Sequence, residues 1–279
     1  MKVEFYSTLW GQENKPLEQV FERIKRAGYD GVEGIVSRND QKKVMALLNE
    51  FDLKFIGHYA EPLSNNFEDC LKSYEDNLYF ISSMNPVLIN AQTGKDIFTF
   101  EQICKLIERA QSIEKETGIP ILHELHRGRF TYCYNAIKPF LLAFTHLKIT
   151  ADFSHWCCVS ESYLQDQKEQ VSEAIQRTEH IHARVGFPEG PQVNDPRAPE
   201  WKEALNYHLE WWDSIVEKKK GERVKTFTIT PEFGPFPYMP HLPYTFQPVS
   251  DQWEINLFMK DLLHERYNVL PQYQEGVEV

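Results

Sequence analysis

The chain contains no run of 18 consecutive apolar residues, so no segment reads as a membrane-spanning helix. Cysteine is scarce. Cys70, Cys104, Cys133, Cys157 and Cys158 make an odd set without a CxxC pair, so neither a disulfide framework nor a structural zinc site is expected and the thiols read as reduced. Phosphate-cradling glycine motifs are missing as well: no GxGxxG follows the first strand-like run, and GxxxxGK[ST] occurs nowhere. Positive charge is in deficit, with 30 Lys and Arg against 41 Asp and Glu. The resulting formal charge of -11 disfavours nucleic acid and anionic membrane surfaces as partners. The opening MKVEFYSTLW alternates like a strand and has neither the basic stretch nor the apolar core of a signal peptide, so a cytoplasmic protein is expected.

What is present has the composition of a packed globular chain, with 42% hydrophobic, 13% aromatic and 25% charged residues in 279. Strand-like runs near 2–9, 30–35, 53–59, 86–92, 119–125, 147–153, 180–185 and 224–233 alternate with helical stretches near 16–27, 40–50, 67–82, 100–117, 132–145, 162–177, 200–218 and 251–265. Local signals agree with the spacing. Pro16 suits a first helical turn, Gly28 a stop, and Thr99 with Gln102 forms a capping-box pattern ahead of Ile103, Leu106, Ile107, Ala110 and Ile113. Strands alternating with helices imply parallel pairing through right-handed crossovers. Eight such units predict an α/β fold, a (β/α)8 TIM barrel formed by residues 1–270 as one domain with its active site on the C-terminal face; an open doubly wound sheet is the runner-up. Residues 271–279 read as an acidic tail. Two proline-rich loops, 186–199 and 234–250, fall after strands and are expected to roof a pocket.

Marking the ionisable residues at the ends of the last four strands gives Glu124 in HELHR, Asp152 in ADFSH, His182 in HIHAR and Glu232 in TPEFG. Parallel strands of a closed barrel aim these ends at one opening, so four side chains remote in sequence can meet. Each alone has an ordinary explanation: Glu124 paired to Arg127, Asp152 capping a helix, His182 satisfied in the core, Glu232 balanced by Arg184. Jointly they are harder to dismiss, because like charges a few ångströms apart cannot all ionise cheaply and a divalent ion removes that penalty. Three carboxylates and an imidazole suit one Mn2+, Mg2+ or Co2+ ion and would accept Zn2+.

The order Glu, Asp with a His three later, His, then Glu at the ends of strands 5 to 8 resembles the xylose isomerase-like TIM-barrel family, to which sugar-phosphate isomerases and epimerases belong. The match at residue level is confined to HELHR, DFSH, HIH and PEFGP. The resemblance implies Glu124, Asp152, His182 and Glu232 as metal ligands and His155 as a substrate contact. Ketose 3-epimerases of that family place an arginine six residues after the strand 7 histidine; here the position is Pro188, with Arg184 or Arg197 as possible substitutes.

The chemistry follows from the residues themselves. A cation with open positions can polarise a hydroxy-ketone and stabilise an ene-diolate, while Glu124 and Glu232 remove and return the neighbouring proton. A metal-dependent isomerase or epimerase of a small carbohydrate is therefore expected, with pairing of barrels into a homodimer as a further expectation. Secondary substrate contacts are His126 and Arg127 after strand 5, His58 after strand 3, Trp10 after strand 1, and Arg184; a surface salt bridge explains Arg127 equally well, and for Trp10 packing is the safer reading. His180 reads as a buried orienting group, and Tyr238 and His241 as loop residues placed to close over substrate. A nucleophilic role for Cys157 or Cys158 lacks an orienting base. Rival functions are a dehydratase using the same metal and base, an abasic-site endonuclease, which the acidic charge disfavours, and a non-catalytic sugar-binding barrel.

Overall fold

In a computed structural model the described residues are 1–60 and 64–269; the acidic tail expected at 271–279 lies outside them. The chain runs β1 Lys2–Thr8, α1 Leu17–Arg26, β2 Gly31–Gly34, α2 Gln41–Glu50, β3 Lys54–Ala60, α3 Phe67–Ser82, β4 Ile89–Gln92, α4 Phe100–Thr117 and β5 Ile121–Glu124. It continues with α5 Tyr134–Ala143, β6 Ile149–Ala151, α6 Phe153–Ser160, α7 Lys168–Arg177, β7 Thr178–His182, α8 Lys202–Gly221, β8 Thr226–Thr230 and α9 Gln252–Asn268. Every strand pairs in parallel with the next, and β8 returns to β1 with Lys2 opposite Thr226 and Phe5 opposite Ile229. The closed eight-stranded barrel expected from the alternation is present.

Period-two alternation divides the barrel into two cores. Residues facing outward, such as Val3, Phe5, Val32, Phe55, Ile89 and Ile121, join the apolar faces of the helices in one continuous core. Inward-facing Tyr6, Ile56, Leu88 and Leu122 form a separate apolar layer inside the barrel. One step further along the same strands the inward positions become Thr8, His58, Asn90 and Glu124. Thus the interior changes from apolar to ionisable toward the C-terminal ends of the strands. The α4 cap is as predicted: the Thr99 hydroxyl accepts from the Gln102 backbone N–H while the Gln102 side chain accepts from the Thr99 backbone N–H.

The sixth unit departs from expectation. Instead of one strand to residue 153 and one helix over 162–177, β6 stops at Ala151, and α6 starts at once, with α7 following. Asp152 causes the early stop, because its Oδ1 accepts the Ser154 N–H at 3.1 Å and so satisfies a free donor of the new helix. The segment lacks an amphipathic stripe because Phe153, Ser154, His155, Trp156 and Cys157 are all buried. No described helix is long and apolar enough to cross a membrane.

Candidate metal centre and substrate cavity

Glu124 closes β5, Asp152 follows β6, His182 closes β7, and Glu232 lies two residues beyond β8. One ligand-capable atom from each falls within 4.8 Å of those of the other three, and all four residues are buried. His182 Nδ1 lies 3.0 Å from Glu232 Oε2 and 3.8 Å from Glu124 Oε1, yet it makes no hydrogen bond. Its other nitrogen is committed, since Nε2–H donates to Glu33 Oε1 at 2.8 Å. With a cation in place of the ring proton, this bond would leave Nδ1 as the ligand nitrogen facing the carboxylates, the arrangement by which an outer carboxylate orients a metal-binding histidine.

Glu33 was not among the residues singled out from the sequence. It sits on β2 within Gly31–Val32–Glu33–Gly34, every residue of which is buried, and its Oε2 also accepts from Thr230 Oγ1 at 2.5 Å and lies 3.1 Å from His180 Nε2. The available signal was an ionisable residue near a strand end, the same one that marked the other four. Asn90 and Gln92, both on β4, hold Glu124: Asn90 Nδ2 donates to Oε2 at 2.8 Å and Gln92 Nε2 to Oε1 at 3.4 Å.

Four carboxylates, Glu33, Glu124, Asp152 and Glu232, meet one permanent cation, Arg184, which is fully buried. Its guanidinium donates to Asp152 Oδ2 and lies 3.3 Å from Glu232 Oε2. Burial opposes charge on His182, but Glu232, Glu33 and Glu124 raise it well above an ordinary imidazole. Burial also acts to raise Glu33 and Glu124, and the neighbouring His182 charge overrides it in both. Both therefore stay below the usual carboxylate range. Asp152 goes the other way: burial, helped by Glu232 and Glu124, pushes it up to about 6 despite Arg184. This is the electrostatics of a site with surplus negative charge. The residues fit a divalent cation on two counts, the unpartnered Nδ1 and a donor set of hard oxygens with one nitrogen.

The site opens into a cavity of about 740 Å3 whose lining includes His58, Gln92, Glu124, His126, Arg184, Glu232, Tyr238 and Trp10. Among the expected substrate contacts, Trp10, His58, His126 and Arg184 thus reach the cavity. His58 Nε2 is buried without a hydrogen-bond partner, 3.7 Å from Glu124 Oε2. Burial lowers His126 to about 4, so its imidazole is neutral; Nδ1–H donates to the Arg127 carbonyl at 2.6 Å and leaves Nε2 as an acceptor.

Two expected contacts are off the cavity lining. His155 is fully buried beside the cluster, with a ring nitrogen within 4.8 Å of ligand-capable atoms of Glu124 and His126 and its Nε2 3.6 Å from Asp152 Oδ2, and Arg184 Nη2 donates to that Nε2 at 2.7 Å. Arg127 is exposed and also off the lining. The chain after β5 folds back as the His126 N–H donates to Thr131 Oγ1, which carries Arg127 to the rim, 5.2 Å above the Tyr238 ring. Tyr238 reaches the cavity, whereas His241 stacks on Phe246 away from it. Asp152 both caps α6 and faces the cluster, so its structural and chemical readings coexist. Burial pushes the Cys157 thiol up, against any role as a nucleophile.

The closed barrel, with its ionisable residues gathered at the C-terminal strand ends, has the fold of the xylose isomerase-like TIM barrels. No family model and no curated protein matches the sequence. Among solved structures, the 3-keto-D-glucoside 4-epimerase YcjR from E. coli superposes with a TM-score of 0.63 at 14% identity, over 94% of this chain and 99% of that one. AsbF of Bacillus anthracis, assigned as a 3-DHS dehydratase of petrobactin synthesis, gives 0.59 at 16%, over 95% of this chain and 100% of that one. A family 2 AP endonuclease from Brucella melitensis gives 0.58 at 13%, over 92% and 98%. At these identities the likeness is one of fold.

Proposed function

We propose that this protein is a divalent-metal-dependent isomerase or epimerase of a carbohydrate, acting by proton removal next to a carbonyl. The observation that carries the reading is the meeting of Glu124, Asp152, His182 and Glu232 within 4.8 Å at the floor of a cavity, with His182 Nδ1 unpartnered. Fold alone does not choose the reaction, since the similar structures include an epimerase, a dehydratase and an endonuclease. The reading therefore rests on the side chains, and the acidic charge of the chain argues against a DNA substrate.

These four residues would hold the cation, which when bound would polarise the substrate carbonyl and stabilise the negative charge that develops as the adjacent proton leaves. Glu124, kept ionised by its neighbours and aimed by Asn90 and Gln92, receives that proton. Glu232, which approaches the same His182 nitrogen from the end of another strand, returns one. Delivery to the same carbon inverts it, and delivery to the neighbouring carbon isomerises the sugar. Arg184 holds Asp152 and Glu232 apart from one another's charge, and the free Nε2 of His58 and of His126 can bond substrate hydroxyls.

The test is proton exchange. Protein loaded with Mn2+ or Co2+ is incubated in D2O with a panel of keto sugars, and products are followed by mass spectrometry. Deuterium uptake without loss of water is expected, and Glu124→Gln or Glu232→Gln should reduce it by at least about a hundredfold. Loss of water would make the enzyme a dehydratase. Absence of exchange on every carbonyl sugar, together with no effect of either ion on melting temperature, overturns the proposal.

A further inference from the structure

The cavity is larger and more lopsided than a free hexose requires. It encloses about 740 Å3, whereas a hexose fills roughly 200 Å3 at protein packing density. Glu13, Lys15, Asp40 and Lys43, which follow β1 and β2 in the chain, line one part of it, and His58, Gln92, Glu124, His126, Arg184 and Glu232 form its carboxylate end. From there the space extends between the loops after β1 and β2, where Leu9, Trp10, Leu17, Ile35, Val36 and Val44 form an apolar wall. Ile35 is 65% exposed although it stands two residues from the fully buried Glu33. An isolated exposed isoleucine is unremarkable, but this one belongs to a concave wall of six apolar residues, the usual architecture of a site for an apolar group.

The wall is also rigid at its inner edge. The Trp10 ring meets Tyr238 edge-on at 5.1 Å between centroids and lies over Gly234, where an added Cβ would come within 2.1 Å of the indole. Gln252 Nε2 donates to the Trp10 carbonyl at 2.8 Å and fixes the backbone. At the outer rim the exposed Lys15 and Lys43 share the lining with the exposed Glu13 and Asp40, and Lys43 is already paired with Glu18 at 2.9 Å. The rim therefore offers no surplus of positive charge to a phosphate.

We infer that the site takes a keto-glycoside, a sugar-ring ketone carrying a flat apolar substituent, with the ring over the carboxylates and the substituent along the wall from Leu9 to Val44. This rests on the function proposed above and names its substrate class. A glycosidic bond removes the carbonyl character of the anomeric carbon, so the ketone must stand on another ring carbon. The substrate accordingly arrives already oxidised, from a reaction that dehydrogenates a ring hydroxyl of the glycoside.

Two measurements test it. Calorimetry of the Mn2+-loaded protein with phenyl β-D-glucoside and methyl β-D-glucoside needs no turnover; the phenyl compound should bind at least about tenfold tighter, and Ile35→Asp should shrink that ratio to near unity. In D2O, the phenyl 3-ketoglucoside should exchange faster than its methyl counterpart, fructose or fructose 6-phosphate. Equal binding of phenyl and methyl glucosides, or preferred exchange on a free or phosphorylated ketose, overturns the inference. A phenyl preference in binding with no exchange on any substrate would leave the apolar subsite standing and refute the isomerase reading instead.

Discussion

Replacing Glu33 by glutamine separates the orientation of a ligand from the ligands themselves. In the structure one carboxylate oxygen takes the His182 Nε2–H at 2.8 Å, and the other takes the Thr230 hydroxyl at 2.5 Å beside His180 Nε2 at 3.1 Å. Glutamine keeps one oxygen and turns the other into a donor. If the amide NH2 faces His182, that ring must move its proton to Nδ1, which blocks the nitrogen turned toward Glu124 and Glu232. If it faces Thr230 instead, the hydroxyl loses its acceptor, and in either orientation the negative charge beside His182 is gone. A hydrogen bond to a charged group contributes about 1.5–3 kcal/mol, and loss of an outer partner of a metal-binding histidine weakens affinity about 10- to 100-fold. Glu33→Gln should therefore raise the Mn2+ dissociation constant by about 10- to 100-fold in a calorimetric titration, with stoichiometry unchanged and circular dichroism confirming the folded barrel. A folded variant that binds Mn2+ within about twofold of the parent would refute the reasoning, and with it the assignment of Nδ1 to the cation.

Three further outcomes follow from other parts of the molecule. Arg184→Met should destabilise the metal-free protein by about 3–5 kcal/mol, because Asp152 and Glu232 lose their buried cation; added Mn2+ should then raise its melting temperature more than it raises the parent's, and equal shifts would count against a shared role in charge balance. Gly186→Ala should cost about 1–3 kcal/mol in urea unfolding, since an added Cβ would stand 2.7 Å from the Ser154 Cα and carbonyl oxygen. His208 gives a pH signature. It is neutral in the fold, with Nε2 accepting from the Gly186 N–H at 3.2 Å and Nδ1–H donating to the Ala204 carbonyl at 2.8 Å, and burial lowers it to about 4. Because the unfolded chain takes up this proton near pH 6.5, its contribution is complete above that pH and lost as pH falls toward 4. By pH 5 the loss is about 2 kcal/mol, so in His208→Gln the fall in stability from pH 7 to 5 should be smaller by that amount, and an unchanged fall would disprove the assignment.

The barrel was legible because each repeat carried its own punctuation, as with Thr99 and Gln102 at the start of α4. The site was legible wherever the chemistry sat at a strand end and broke a hydrophobic pattern, as at Glu124, Asp152, His182 and Glu232. Glu33 obeyed the same rule but stood alone on a short, glycine-flanked strand, and only the closed barrel brings it to His180 and His182 from about 150 residues away. Arg184 was read as a substrate contact or a balance for Glu232; its simultaneous hold on Asp152 depends on α6, which the sequence disguised because a helix buried on all sides has no amphipathic stripe. Residues expected to reach substrate from turns fared unevenly. The position of Arg127 is decided by the bond from His126 to Thr131, and that of His155 by where the helix begins. The apolar wall is assembled from two loops and two helices, and no single stretch announces it.

The layer of Tyr6, Ile56, Leu88 and Leu122 beneath the carboxylates has a kinetic corollary. Among the described residues it closes the barrel below the carboxylates, so a cation and a carbohydrate bound as proposed would enter from the same side. Loading would then run cation before carbohydrate, and an occupied pocket would shield its ion from a chelator for as long as the sugar stayed.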